Sequence, residues 1–196
     1  MLKLYNTGTR HKDDFQPLEE GVVSIYSCGP TVYDFPHIGN LRTFLFADIL
    51  VRYLKRRGYT VHNVMNITDV DDKTIRGSQA EGVSLGEYTA KYADYFLQDL
   101  ETLRIQPAWK YPRATEHIDQ MLDVVQELIE KGYAYENEGS VYFDISAYPN
   151  YGKLSGIVPE EQETREFGRL DRDEYERDDA RDFVLWKAAK PDEPSW

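Results

Sequence analysis

One cysteine, Cys28, stands in 196 residues. That count excludes an intramolecular disulfide framework and fits a reducing, cytoplasmic compartment. No apolar run approaches the length of a membrane span, so no membrane partner is expected. The opening MLKLYNTGTRHKDDF turns polar after its first five residues, so no secretory signal is expected there. Cations are scarce: 23 Lys and Arg face 35 Asp and Glu, for a net charge of -12. An overall field that attracts nucleic acid is excluded, since phosphate contacts need Lys and Arg. No internal repeat is evident.

What is present supports a real core, with 41% hydrophobic and 13% aromatic residues. The charge is uneven. Residues 160–182 hold eleven acids against five arginines, a run that reads as a solvated loop or short helix. Residues 41–57 run the other way, with Arg42, Arg52, Lys55, Arg56 and Arg57 against Asp48 alone. Nucleic-acid contacts would therefore come from a local basic surface.

VVSIYS (22–27) is a short β-rich run ended by Gly29-Pro30. LRTFLFADILVRYLKRRG follows, apolar on most faces, with cations in its last turn and Gly58 to stop it. It reads as a helix packed on a sheet. YTVHNVMNI (59–67) alternates as a second strand. Strand, helix, strand in this order is a βαβ unit with parallel strands and a right-handed crossover.

Beyond it the apolar positions between Leu85 and Leu103 have a helical period. Thr115 can cap a further helix whose apolar face runs from Ile118 to Ile129, with Gly132 after it. YAYENEGSVYFDI (133–145) reads as a β-hairpin turning at Asn137-Glu138-Gly139. The expected class is thus α/β: the first half of a doubly wound, Rossmann-like parallel sheet over residues 1–75. Residues 76–196 then form a helical and hairpin insertion that begins its return to the first domain. A doubly wound sheet needs a second βαβαβ half, and no second alternation follows.

In open α/β sheets ligands bind beyond the carboxyl ends of the strands. Both unusual motifs fall there: CGPTVYDFPHIGN (28–40) after the first strand and NITDVDD (66–72) after the second. A helix starting near Gly39 would aim its N–H groups and dipole at an anion in that crevice. Gly39 would admit a close backbone approach, and His37 could donate to charge developing on a phosphate. Plainer readings stand beside these. A lone cysteine is usually a buried small apolar residue, and Asp69, Asp71 and Asp72 form a capped acidic turn as readily as a site.

Taken together, CGPTVYDFPHIGN, NITDVDDK, PRATEHI (112–118), YGKLSG (151–156) and DFVLWKAAKP (182–191) resemble the amino-terminal half of the cysteinyl-tRNA synthetases, class I aminoacyl-tRNA synthetases. His37-Ile38-Gly39-Asn40 matches the family's His-Ile-Gly-His signature except at Asn40, which keeps a side-chain donor but carries no charge. The resemblance implies a two-step reaction. Cysteine attacks the α-phosphate of ATP, supplied with Mg2+, and the cysteinyl-adenylate is captured by tRNA(Cys). It implies His37 and Asn40 as catalytic residues, Pro30, His37, Gly39 and Asn40 around ATP, and Cys28, Thr31 and Thr68 around the amino acid.

It further implies that Cys28 ligates a Zn2+ ion that selects a thiolate over a hydroxyl. The other zinc ligands and the Lys-Met-Ser-Lys-Ser loop are expected beyond Trp196. On that basis residues 1–196 alone are expected to lack cysteine activation, and the full-length enzyme to be a monomer. Two readings of different class remain: the amino-terminal part of a cysteine–tRNA ligase, or a truncated, non-catalytic relative acting as a binding module. A third, a ligase joining activated cysteine to an amino sugar, fits the two motifs less well.

Overall fold

The computed structural model describes residues 2–156 and 182–196. In chain order come β1 (Lys3–Asn6), β2 (His11–Asp14), β3 (Val22–Ser27), α1 (Ile38–Arg56), β4 (Thr60–Met65) and α2 (Asp72–Glu81). Then follow α3 (Leu85–Thr102), a 3-10 turn (Ala114–His117), α4 (Ile118–Glu130), β5 (Ala134–Asn137), β6 (Ser140–Phe143) and β7 (Phe183–Trp186). They divide into two compact units: Met1–Phe15 with Asp119–Pro191, and Gln16–Ile118 with Asp192–Trp196.

The unit from Gln16 to Ile118 contains the βαβ element that the sequence predicts. β3 and β4 pair in parallel from Val22↔Thr60 to Ser27↔Met65. α1 crosses between them, with Lys55 and Arg56 in its last turn and Gly58 at φ 91° beyond its end. Its inner face buries Phe44, Asp48, Val51 and Leu54. Phe44 joins Met65, Phe96, Leu100 and Ile105 in one cluster, so α1, β4 and α3 share a core. The Phe44 and Phe96 rings meet edge-on at 5.1 Å, the arrangement their quadrupoles favour.

Asp48 is the polar exception in that face. Its carboxylate accepts from Arg52 Nε at 2.7 Å and from the Gln106 amide at 3.0 Å. A buried carboxylate needs such partners, and here they fasten the chain leaving α3 onto α1.

The second side of β4 is also occupied. Val64↔Lys110 and Ile67↔Arg113 are parallel bridges. Met65 N donates to Lys110 O at 3.1 Å and Ile67 N to Pro112 O at 2.8 Å. Residues 109–114 thus lie along β4 as a third lane, a pairing that the sequence reading does not include.

Three further readings meet different outcomes. The acidic run NITDVDD takes its plainer form, a capped turn that leads into a helix: Asp71 caps α2, accepting from Lys73 N at 2.9 Å. Thr115 does not cap a helix, because it sits inside the 3-10 turn with its hydroxyl and amide turned to Asp69. The run 160–182 lies outside the described residues except at its end. There Asp182 is buried, accepting from Tyr135 Oη at 2.9 Å and the Ile145 amide at 3.0 Å.

The other unit holds two antiparallel sheets, β1 with β2 and β5, β6 and β7 in that order. Between β5 and β6 the turn residues Glu138 and Gly139 have φ of 49° and 76°, the pairing a tight two-residue hairpin requires. Among the described residues no helix is long and apolar enough to cross a membrane.

Candidate active site

Beyond the carboxyl end of β3 the chain does not turn back at once. Residues 28–36 form a loop around a cavity of about 390 Å³, closed by Asn40, Thr43 and Phe44 of α1 and by Tyr92 and Phe96 of α3. The loop is tied down at its middle. Thr31 and Thr68 form a parallel bridge, with Thr68 N donating to Pro30 O at 3.0 Å and Val32 N to Thr68 O at 3.1 Å. Val32 beneath it is buried with Ile67 and Ala93.

Cys28, Pro30, Thr31 and Asn40 line the same cavity. Thr68 is not among its lining residues and pairs with Thr31. His37 and Gly39 sit at the exposed start of α1.

There His37 and Asn40 form a reciprocal cap. Gly39 N donates to His37 Nδ1 at 3.1 Å, and His37 N donates to Asn40 Oδ1 at 3.1 Å. An amide N–H only donates, so Nδ1 is the acceptor and the neutral ring carries its hydrogen on Nε2. Asn40, with its oxygen committed, keeps two amide hydrogens to offer. The first turn of α1 contains no acid, which leaves the positive end of its dipole unopposed.

The far wall is aromatic. Phe35 packs on Tyr92 at 5.6 Å and on Tyr95 at 4.9 Å. Tyr88 Oη donates to Tyr33 O at 2.6 Å, which holds the loop to α3. Burial, then the neighbouring Tyr92 phenol and the charges of Glu81 and Asp34, raise the Tyr88 hydroxyl above the ordinary tyrosine range. It stays a donor at any neutral pH. Sequence periodicity marks Tyr88, Tyr92 and Phe96 as apolar helix positions but does not say which of them faces a ligand cavity.

The expected zinc site is not formed. Among the described residues no group of three or more His, Cys, Asp or Glu side chains could hold a metal ion. Cys28 is exposed and free, with Sγ 3.8 Å from the Gly29 carbonyl. His62 stacks on Trp109 at 4.6 Å, and His117 Nδ1 lies 2.9 Å from Arg113 O. With these side chains engaged elsewhere, Cys28 has no co-ligands among the described residues, and the zinc and metal-binding expectation is withdrawn.

Comparison with known proteins identifies the family. The family described as tRNA synthetases class I (C) catalytic domain matches residues 14–196. The cysteine–tRNA ligase of Methanosarcina mazei is 56% identical over 193 residues, 98% of this chain and 40% of that protein. That of Pyrococcus furiosus is 46% identical over 196 residues, 100% of this chain and 40% of that protein. Among solved structures, Mycobacterium tuberculosis methionyl-tRNA synthetase in complex with methionyl-adenylate gives a TM-score of 0.53 at 18% identity, covering 63% of this chain and 25% of that one. Such a likeness speaks to the fold, an α/β class I synthetase-like catalytic fold. This chain spans about two fifths of the length of the curated relatives it matches.

Proposed function

The chain belongs to the class I (C) tRNA synthetase catalytic-domain family, and we propose that it carries the amino-terminal catalytic portion of a cysteine–tRNA ligase. The observation that supports this reading is that Cys28, Thr31 and Asn40, the last in the first turn of α1, line one cavity. In the proposed reaction the carboxylate of L-cysteine attacks the α-phosphate of ATP, and pyrophosphate leaves with the electron pair of the broken P–O bond. The terminal ribose hydroxyl of tRNA(Cys) then attacks the adenylate carbonyl and AMP departs.

His37 donates from Nε2 to the charge that builds on the phosphoryl oxygens, and Asn40 donates from its side-chain amide to the same group. Their cap supports this role, because it fixes both side chains before the substrate arrives. Pro30 and Gly39 lie along the path of the nucleotide, where Gly39 presents no side chain. Cys28, Thr31 and Thr68 form the amino-acid side of the site. The βαβ element is the first half of a doubly wound sheet in this reading. Residues from about 76 are an insertion that helps receive the tRNA acceptor end.

The test is ATP–pyrophosphate exchange with the full-length protein that contains this chain. Exchange should depend on L-cysteine and be far weaker with L-serine. Absence of cysteine-dependent exchange in a folded protein would count for a non-catalytic binding module instead.

A further inference from the structure

We infer that Asn66 is the positioning residue of this site, the side chain that holds the Cys28–Thr31 rim in place. The inference rests on the ligase reading above and adds to it a residue outside the cavity wall. Asn66 Oδ1 accepts from the Gly29 amide at 2.8 Å and from Tyr26 Oη at 2.9 Å. Its Nδ2 donates to Thr68 Oγ1 at 3.0 Å. The orientation of the carboxamide is forced, because the Gly29 N–H can only donate and so must face the oxygen. The NH2 group is then directed at Thr68.

Gly29 also runs close to the main chain at Asn66: a Cβ there would overlap the Asn66 backbone carbonyl oxygen and crowd Met65 Cγ at 3.1 Å. The end of β3 and the segment after β4 thus join at one point, side chain to backbone. Cys28, Gly29, Pro30 and Thr31 all line the cavity, and they follow directly from that join. The Thr31–Thr68 bridge holds the far end of the same stretch, and Asn66 bonds to Thr68 as well. One carboxamide therefore sets the near end of the rim and contacts the anchor of its far end.

Removing the carboxamide should loosen the rim without unfolding the core, because Asn66 belongs to neither hydrophobic cluster. Asn66→Asp keeps an acceptor for Gly29 and Tyr26, and Thr68 can turn its hydroxyl to donate to the second oxygen. Two measurements on the full-length protein test the inference. Hydrogen exchange at the Gly29 amide should quicken at least roughly tenfold in Asn66→Ala, the scale of a lost hydrogen bond. It should stay within about threefold of wild type in Asn66→Asp. In cysteine-dependent pyrophosphate exchange, Asn66→Ala should raise KM for L-cysteine about tenfold and change kcat less than about threefold.

Unchanged Gly29 exchange in Asn66→Ala would overturn the inference. So would a fall in kcat at constant KM, the signature of lost folded enzyme. A wild-type protein with a protected Gly29 amide and no cysteine activation would overturn the ligase reading and with it the substrate role of Asn66. The exchange data tell that outcome apart from a failure at Asn66 itself.

Discussion

Gly77 on α2 lies flat against the Tyr88 ring on α3: a Cβ added at Gly77 would run into the phenol oxygen and ring carbons. Glycine inside a helix costs about 0.5–1 kcal/mol against alanine, so the close approach has a price in helix propensity. It sets Tyr88 where its hydroxyl reaches the Tyr33 carbonyl and fastens the cavity loop. Gly77→Ala is therefore predicted to destabilise the protein by about 1–3 kcal/mol, and Tyr88→Phe by about 1 kcal/mol. Denaturant unfolding midpoints measure both. A stabilised Gly77→Ala, showing only the helix-propensity gain, would mean that the contact constrains nothing.

The same tyrosine gives a pH prediction. Its folded pKa is raised, by burial first and by Tyr92 next, so its neutral form is favoured in the folded state. That contribution is whole below the ordinary tyrosine value of about 10 and is lost as pH climbs through the higher folded value. Wild-type stability should fall more steeply than that of Tyr88→Phe above about pH 10. Parallel slopes in thermal unfolding across that range would dismiss the effect.

α1 supplies a paired prediction from two phenylalanines one turn-half apart. Phe44 is 4% exposed and Phe46 is 68% exposed. Phe44→Ala should cost about 3–5 kcal/mol, whereas Phe46→Ser should lie within about 0.5 kcal/mol of wild type. Equal losses in urea unfolding would show that the outer face of α1 is packed in solution.

His37 has two ring nitrogens with separate tasks, and one substitution divides them. Asparagine is a good helix cap, so His37→Asn should keep α1 stable within about 0.5 kcal/mol while removing the Nε2 donor. In the full-length protein its adenylation kcat should fall by about 10²–10³, with KM for cysteine nearly unchanged. Normal kcat in this variant would leave His37 as a cap alone.

The βαβ element was legible because each part carries a local signal: VVSIYS is rich in β-formers, α1 is followed by Gly58, and residues 59–67 alternate. Residues 109–114 carry no such signal. WKYPRA contains a proline and no apolar alternation, and its place beside β4 is fixed by backbone bonds to Asn63, Met65 and Ile67. The cavity wall from Cys28 to Asn40 was legible as a contiguous motif, but the aromatic wall was not, because Tyr92 and Phe96 come from a helix more than fifty residues away. Zinc was expected from the family resemblance, with Cys28 as one ligand and the rest beyond Trp196; a metal site is a property of several side chains converging, and among the described residues no such group forms. Asn66 was quoted only as the start of a motif, since a side chain that braces two loops shows no periodicity.

The acids of NITDVDD close the case, because one short run assigns them different tasks. Asp69 is 3% exposed; it accepts from the Thr115 amide at 2.9 Å and the Thr115 hydroxyl at 2.7 Å. Arg113 Nη1 stands 3.7 Å from the same carboxylate. Asp71, at the surface, caps α2, and Asp72 lies exposed in the first turn of that helix. Removing the buried carboxylate strands an amide, a hydroxyl and a half-buried guanidinium, so Asp69→Ala should cost about 3–5 kcal/mol. Asp71→Ala should cost about 1 kcal/mol for the lost cap, and Asp72→Ala about 0.5 kcal/mol through the helix dipole. The order is the test. Urea unfolding of the three variants should rank them Asp69, Asp71, Asp72, and an Asp69→Ala protein as stable as Asp72→Ala would remove the buried clamp from this account. Because Asp69 also fixes the 112–118 segment beside β4, the Asp69 variant alone should speed hydrogen exchange at the Thr115 amide.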